Sequence, residues 1–257
     1  MPPPPLPGPV ARLAAELEAL PGAVAVVLGG SRADGTARAD SDWDLGVYYR
    51  GPASFDPAAV RGLGHAGYVS ALGEWGPIVD GGAWLTVDGT AVDVLFRDLD
   101  VVEGWLADAE AGRYAVLDQN GYLVGAPTYL PVGELAGCRH LGGAELPRPA
   151  FPERLAATAP GRWEGRASVA LLFAEGHARG GDAVACAGML AAAALCAAHA
   201  RLTARREWAR NEKRLIARAG LDAVQPSLAR PGATAAELTA TVAAVGTALG
   251  LEALRVR

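Results

Sequence analysis

Residues 28–49 read LGGSRADGTARADSDWDLGVYY, and this stretch holds the strongest structural signals in the chain. A short apolar run ends in Gly30–Ser31, after another glycine, and the missing side chains allow a sharp turn there. After ten intervening residues, Asp42 and Asp44 open a second apolar run at residues 43–49. The pattern predicts two buried strands joined by a loop that begins with a glycine turn.

The two aspartates that open the second strand are the first candidate functional residues. Alternate residues of a strand point the same way, so Asp42 and Asp44 are expected to present two carboxylates on one face. Oxygen ligands of this kind suit Mg²⁺, which takes its remaining ligands from water and substrate phosphates. Backbone amides at Gly30 and Ser31, with the Ser31 hydroxyl, are expected to point at phosphate oxygens.

A third carboxylate is needed to hold a second metal ion and to draw a proton from an attacking hydroxyl. Asp93 fits this role because it lies inside the apolar run AVDVLF, where burying an unpaired carboxylate without a function would cost free energy. Asp88 is explained instead by a predicted Asp88–Gly89 hairpin turn, and Asp98 by the start of a helix. The sequence therefore predicts a site built from Asp42, Asp44 and Asp93.

This set resembles the signature of the DNA polymerase β-like nucleotidyltransferase superfamily, at Gly30, Ser31, Asp42, Asp44 and Asp93. The arrangement is similar to stand-alone bacterial enzymes, including antibiotic nucleotidyltransferases that carry a C-terminal helical domain. The resemblance implies a mixed sheet, a nucleoside triphosphate, two Mg²⁺ ions and transfer of a nucleoside monophosphate to a hydroxyl. It covers only about the first 100 residues.

The resemblance also implies a division of roles among the three aspartates. Asp42 and Asp44 would grip both metal ions, and Asp93 would hold the ion at the acceptor and take its proton. The opposing interpretation is that these aspartates cap turns and pair with arginines. It requires three acids and a glycine turn to coincide by chance.

The rest of the chain predicts an α+β protein, with an N-terminal nucleotidyltransferase mixed sheet and flanking helices followed by a C-terminal helical bundle. A proline-rich joint at residues 146–152 separates the two parts. We expect a proline-rich tail at 1–9, a nucleotidyltransferase domain at 10–148 and a helical domain at 149–257. The helical segments are predicted at 10–20, 57–63, 98–112, 153–158, 162–178, 182–220 with breaks, and 233–254, and the strands at 23–28, 43–49, 83–87 and 90–96.

Charge and composition limit the partners. Residues 1–150 carry 9 Arg against 19 Asp or Glu, a net charge of −10, and residues 151–257 carry a net charge of +5. This balance argues against a nucleic-acid polymer as main partner. No secretory signal is recognisable and the apolar run at 183–198 favours a buried helix, so we expect a cytoplasmic protein without a membrane span. The three cysteines predict reduced, buried thiols.

Lys213 is the only lysine in the chain and is a candidate nucleotide ligand. If its segment is helical, Arg206, Arg210 and Lys213 share one face that would meet the triphosphate; the alternative is a solvated basic face. Four tryptophans are expected to be packing residues, with stacking of one of them on the nucleotide base as the alternative, namely Trp75, Trp84, Trp163 and Trp208.

Three functions remain open. The first is transfer of a nucleoside monophosphate, with ATP the favoured donor, to a small hydroxylated acceptor such as an aminoglycoside- or lincosamide-like antibiotic. The second keeps the chemistry but modifies a protein or tRNA, and the third is a nucleotide-binding regulatory module without turnover. The alanine-rich half fits either a substrate wall or a homodimer surface.

Overall fold

The computed structural model describes residues 6–38 and 41–251, and the predicted tail at 1–9 lies mostly outside this range. The chain divides into two compact units. The first comprises residues 1–109, 114–121 and 125–150, and the second comprises residues 110–113, 122–124 and 151–257. The predicted α+β class is confirmed, because a mixed sheet with helices precedes long helices.

A six-stranded sheet forms the centre of the first unit, in the order β3-β4-β5-β2-β1-β8. Only the β2–β5 pair is parallel, and the other pairs of this sheet are antiparallel. The strands are β1 Ala25–Leu28, β2 Trp43–Tyr49, β3 Ala66–Val69, β4 Gly81–Val87, β5 Thr90–Asp98 and β8 Arg139–Gly143; β6 Val116–Leu117 and β7 Ala126–Pro127 pair separately. The unit's helices are α1 Gly8–Glu18, α2 Gly30–Ala33, α3 Pro57–Gly62, α4 Leu99–Glu110 and α5 Leu130–Gly137.

One face of this sheet carries the hydrophobic core. Alternate residues of β2, β4 and β5 are buried there against the apolar side of α1. Leu13 and Leu17 of α1 are fully buried, as expected from their spacing of four residues. Asp44 and Asp93 alternate with these core residues, so their side chains belong to the opposite face.

Local sequence signals located most of these elements. Asp88 and Gly89 form the predicted turn between β4 and β5, and both have positive φ, as a tight hairpin of this kind requires. Asp98 accepts a hydrogen bond from the Asp100 amide at 3.0 Å, where the helix following β5 begins. Strands β3 and β8 were not predicted. The β8 sequence, RHLGG, contains no alternating apolar pattern that would have identified it.

The second unit is helical and contains α6 Glu153–Arg179, α7 Ala183–Ala204, α8 Leu215–Arg218, a 3₁₀ turn Asp222–Val224, α9 Gln225–Ala229 and α10 Ala235–Leu249. The prediction of separate helices at 153–158 and 162–178 was wrong, because α6 runs unbroken through Pro160. Proline removes one backbone hydrogen bond. Buried side chains on both sides of it, including Leu155 and Trp163, keep the helix continuous through tertiary packing.

The conditional helix carrying Arg206, Arg210 and Lys213 is also absent: α7 ends at Ala204 and α8 begins at Leu215. Arg206 and Arg214 both have left-handed backbone angles, with φ of 58° and 56°, which a right-handed helix cannot accommodate. Lys213 lies in an exposed turn, where its amide donates to Asn211 Oδ1 at 3.0 Å. The proposed shared face of three basic residues is therefore not formed.

Helix α7 is long and apolar enough, by length and composition alone, to cross a membrane. Half of its most apolar stretch is buried inside the protein. The central helix of a water-soluble bundle has the same features, so α7 is weak evidence for a membrane span. Cys186 and Cys196 on this helix, and Cys138 in the first unit, are free and buried, as predicted.

Candidate active site

The central feature of the site is a pair of aspartates on neighbouring strands. Asp44 of β2 stands directly beside Asp93 of β5 in the parallel ladder. Adjacent strands lie about 4.8 Å apart, so the two side chains leave the same face of the sheet as near neighbours. Two of the three predicted acids are therefore brought together by backbone pairing between segments that are about fifty residues apart in sequence.

The glycine turn lies against the first member of this pair. The Gly29 amide donates to the Asp44 carbonyl at 2.8 Å, which fastens the end of β1 to the start of β2. Gly30 has φ of +61°, and a Cβ atom there would overlap Asp44 Oδ2. Glycine is thus required at residue 30 for two reasons, its backbone conformation and the close approach of the carboxylate. Ser31 follows in the single turn of α2.

Asp42 is placed less firmly than the other two acids. It is exposed and precedes the first residue of β2, so no pairing in the ladder fixes it. Among residues 6–38 and 41–251, no three His, Cys, Asp or Glu side chains converge into a ready metal site. Asp44 and Asp93 supply neighbouring carboxylate oxygens of the kind Mg²⁺ prefers, and Gly30 leaves room beside them. The donor types suit Mg²⁺, but the three predicted acids do not converge into one cluster.

Arg32 joins the glycine turn to the Asp42 segment, a role that sequence reasoning missed. Its Nε donates to the Asp42 carbonyl at 3.1 Å and to the Ser41 carbonyl at 3.2 Å. Its guanidinium also lies over the Trp43 ring, 4.1 Å from the centroid. Arg32 therefore positions the backbone on which Asp42 lies. The only hint in the sequence is an aromatic residue between the two aspartates that an arginine can cover.

The same sheet face is closed four residues further along both strands. Tyr48 and Arg97 form the corresponding ladder pair, and both are buried. Arg97 Nε donates to Glu134 Oε2 of α5 at 2.9 Å, and burial raises the pKa of the Tyr48 phenol. The side chain of Arg97 is only 3% exposed, and Glu134 offsets the cost of burying its charge. This face of the sheet is consequently buried at the Tyr48–Arg97 end and half-buried at the Asp44–Asp93 end.

Other candidates from the sequence have mixed outcomes. Trp163 is fully buried and stacks on His199 at 4.2 Å, as expected for a packing residue. Trp84 is 56% exposed, and its ring packs against Tyr68 and Trp75 outside the core. Its strand alternates faces, and residue 84 falls on the face opposite the core. Lys213 belongs to the second unit, and its contact with a nucleotide stays a prediction.

Comparison with protein families gives a match in the first unit. Residues 10–79 match the nucleotidyltransferase domain family, a range that includes Gly30, Ser31, Asp42 and Asp44 and ends before Asp93. No curated protein matches the chain. Divalent metal ions are general in this family, in agreement with the donor types found at the site. The matched domain supports a transferase enzyme and agrees with the resemblance to the DNA polymerase β-like nucleotidyltransferase superfamily.

Proposed function

We propose that this chain transfers a nucleoside monophosphate, AMP in the first instance, from a nucleoside triphosphate to a hydroxyl of a small molecule and releases pyrophosphate. The observation that carries the proposal is the ladder pair of Asp44 and Asp93, with Gly30 against Asp44. An acid pair beside a glycine turn offers one place for phosphates and another for a reacting hydroxyl.

The order of the residues across the sheet supports the roles that we propose for them. Asp44 adjoins the Gly30–Ser31 turn, so it lies on the triphosphate side, and Asp93 lies one strand further away. The acceptor oxygen attacks the α-phosphorus, the bond to the departing pyrophosphate breaks, and Asp93 accepts the proton of the hydroxyl. Asp42 and Asp44 are the ligands expected for Mg²⁺, with Asp93 at a second ion. Bound Mg²⁺ would neutralise charge on the phosphates.

Charge supports a small acceptor over a macromolecular one. The residues that include this acid pair, 1–150, have a net charge of −10, and a nucleic-acid polymer would be repelled by it. An antibiotic of the aminoglycoside or lincosamide type is one compound class that fits. We also propose that the protein is cytoplasmic and that Lys213 is a nucleotide ligand.

The test is pyrophosphate release from each of the four nucleoside triphosphates, with MgCl₂ and a panel of hydroxylated small molecules. We expect release with ATP and at least one acceptor, and loss of about a thousandfold in rate for Asp93→Asn. Asp100→Asn is the matched control, because Asp100 is an exposed aspartate of the same unit that pairs with Arg50. Equal rates for Asp93→Asn and wild type would refute the role of Asp93.

Labelled ATP separates the small acceptor from the alternatives. Label that migrates with protein or tRNA would assign a macromolecular acceptor. Tight ATP binding without pyrophosphate release, under every acceptor, would contradict transfer by this chain. Omitting MgCl₂ and adding EDTA tests the metal requirement directly, and unchanged turnover under those conditions would remove Mg²⁺ from the proposal.

A further inference from the structure

Three aromatic side chains form a continuous, partly exposed surface beside the acid pair, and we call Tyr68, Trp75 and Trp84 the aromatic ledge. Tyr68 of β3 faces Trp84 of β4 in the antiparallel ladder, with ring centroids 5.7 Å apart. Trp75 stacks on Trp84 at 4.8 Å and 24° between ring planes. Trp84 is 56% exposed and Tyr68 40%. Clustered exposed aromatics of this size mark binding surfaces more often than isolated ones do.

The ledge is held rigidly. Trp75 lies in the loop between β3 and β4, and the buried Gln119 side chain holds that loop from beneath. Gln119 Nε2 donates to the Trp75 carbonyl at 2.7 Å, and Gln119 Oε1 accepts from the amides of Ile78 and Val79 at 3.1 Å each. Gly82 completes the arrangement, because a Cβ there would overlap the Trp75 ring. Little conformational freedom would be lost when a ligand stacks on such a surface.

The hydrogen bonds around Tyr68 leave its ring as the part offered to a ligand. The Tyr68 hydroxyl donates to Glu74, and this bond raises the pKa of the phenol and lowers the pKa of the carboxyl. Glu74 also accepts from the Ala71 amide at 2.7 Å, so it ties the ring to the loop. The ledge therefore presents aromatic faces, with a carboxylate at its edge.

The position of the aromatic ledge relative to the acids indicates which ligand binds there. Trp84 stands beside Asp93 in the ladder, and Asp93 stands beside Asp44. The row across the sheet thus runs Tyr68, Trp84, Asp93, Asp44, and the glycine turn adjoins Asp44. The ledge begins one strand beyond Asp93, about 5 Å away, on the side opposite the glycine turn.

We propose that the aromatic ledge is the acceptor subsite and that it stacks on a sugar ring that carries the reacting hydroxyl. The proposal rests on the proposed function. In phosphoryl transfer the attacking and leaving oxygens lie roughly in line, so an acceptor must approach opposite the pyrophosphate, which is the ledge side of Asp93. A sugar ring combines hydroxyls at its rim with a flat C–H face, and aromatic faces carry the negative potential that attracts such hydrogens.

The competing occupant is the nucleotide base, which would also stack on an aromatic face. A base on the ledge would extend across Asp93 and occupy the path of the incoming hydroxyl. The order of residues across the sheet therefore favours the acceptor, and the two occupants predict opposite results for a Trp84 variant.

The experiment is saturation-transfer NMR with two sets of probes. The first set comprises the methyl glycosides of glucose, galactose, mannose and glucosamine, and the second is ATP with MgCl₂. Variants are Trp84→Ala, Trp84→Phe, which retains a stacking ring, and Phe173→Ala. Phe173 is the matched control, because it is an equally exposed aromatic residue of the second unit. Thermal denaturation of each variant checks that it is folded.

We expect at least one methyl glycoside to bind the wild type. Its affinity should be about tenfold lower for Trp84→Ala and nearly normal for Trp84→Phe and for the control Phe173→Ala. ATP binding should be the same in all four proteins. A loss of ATP binding in Trp84→Ala would place the base on the ledge and overturn the proposal. Glycoside signals that are absent, or independent of Trp84, would also overturn it. Failure of pyrophosphate release alone would refute the transfer reaction while leaving Trp84-dependent glycoside binding in place.

Discussion

Two ends of one sheet face in the first unit have opposite characters. At one end, the ladder pair of Asp44 and Asp93 brings two acids side by side. Four residues along the same strands, the pair of Tyr48 and Arg97 is buried, and Arg97 is bonded to Glu134. The backbone pairing is the same at both ends, so it cannot account for the difference. What differs is the burial: the fully buried charge of Arg97 needs Glu134 to offset the cost of burial, and the half-buried acid pair can supply oxygen ligands.

The largest effect is expected at the acid end. Asp44→Asn removes one carboxylate beside the glycine turn, and we expect pyrophosphate release to fall about a thousandfold. The free energy of unfolding should not fall, because functional acids are retained at the expense of stability. Activity and urea denaturation are measured on the same preparation. A variant that loses stability and activity together would show that Asp44 is structural, and the two ends would then be alike.

The second prediction separates the position of Gly30 from its backbone conformation. Gly30→Ala should reduce activity about a hundredfold, because the new methyl group displaces the Asp44 carboxylate. Gly35→Ala is the control, since Gly35 has a similar φ of +70° with nothing within 4 Å of its added Cβ. Both variants should lose about 1 kcal/mol of stability from left-handed strain. Equal losses of activity would mean that the strain, and not the contact with Asp44, is responsible.

The two acids were largely predictable from sequence, but the residues that the fold brings beside each of them were not. Alternation and a glycine turn placed Asp44 on a strand, and an apolar context singled out Asp93. That they stand side by side depends on β2 pairing with β5, a non-local choice which no local pattern encodes. For the same reason the aromatic ledge was missed, because Trp75 and Trp84 meet only through a loop held by Gln119.

The helical half shows the limits of local rules more plainly. A break was predicted between residues 158 and 162, and tertiary packing overrides it in α6. Conversely, the segment from Arg206 to Arg214 has helical spacing but contains two left-handed residues that are not glycine. Neither outcome follows from propensity, since both depend on contacts made elsewhere in the fold.

The third prediction concerns the covered end. Glu134→Gln removes the charge that accompanies buried Arg97, and we expect a loss of about 3 kcal/mol in the free energy of unfolding. Turnover per folded molecule should be unchanged at a temperature where the variant remains native. The control is Glu103→Gln, which breaks an exposed pair with Arg50 and should leave the melting temperature unchanged. Equal stabilities of the two variants would show that burial of Arg97 does not require its partner.

The smallest effect at neutral pH is expected in the second unit, where a buried basic group is kept neutral instead of being paired. Burial lowers the pKa of His199 to about 3, with further lowering from Arg166 and Arg218. The ordinary pKa is about 6.5, so between those values the unfolded chain binds a proton that the folded chain does not. Stability therefore falls as the pH falls from about 6.5 towards 3, by about 1.4 kcal/mol per pH unit from this residue.

His199→Phe keeps a ring that can stack on Trp163 and should remove this part of the pH dependence. Urea denaturation followed by far-ultraviolet circular dichroism, at several values between pH 4 and pH 7.5, measures the difference from wild type. Thr203→Val is the control, because it alters a buried hydroxyl in the same helix without a titrating group. A wild-type slope that survives in His199→Phe would mean that His199 is protonated in the folded protein. The second unit would then have to compensate a buried charge as Glu134 does for Arg97.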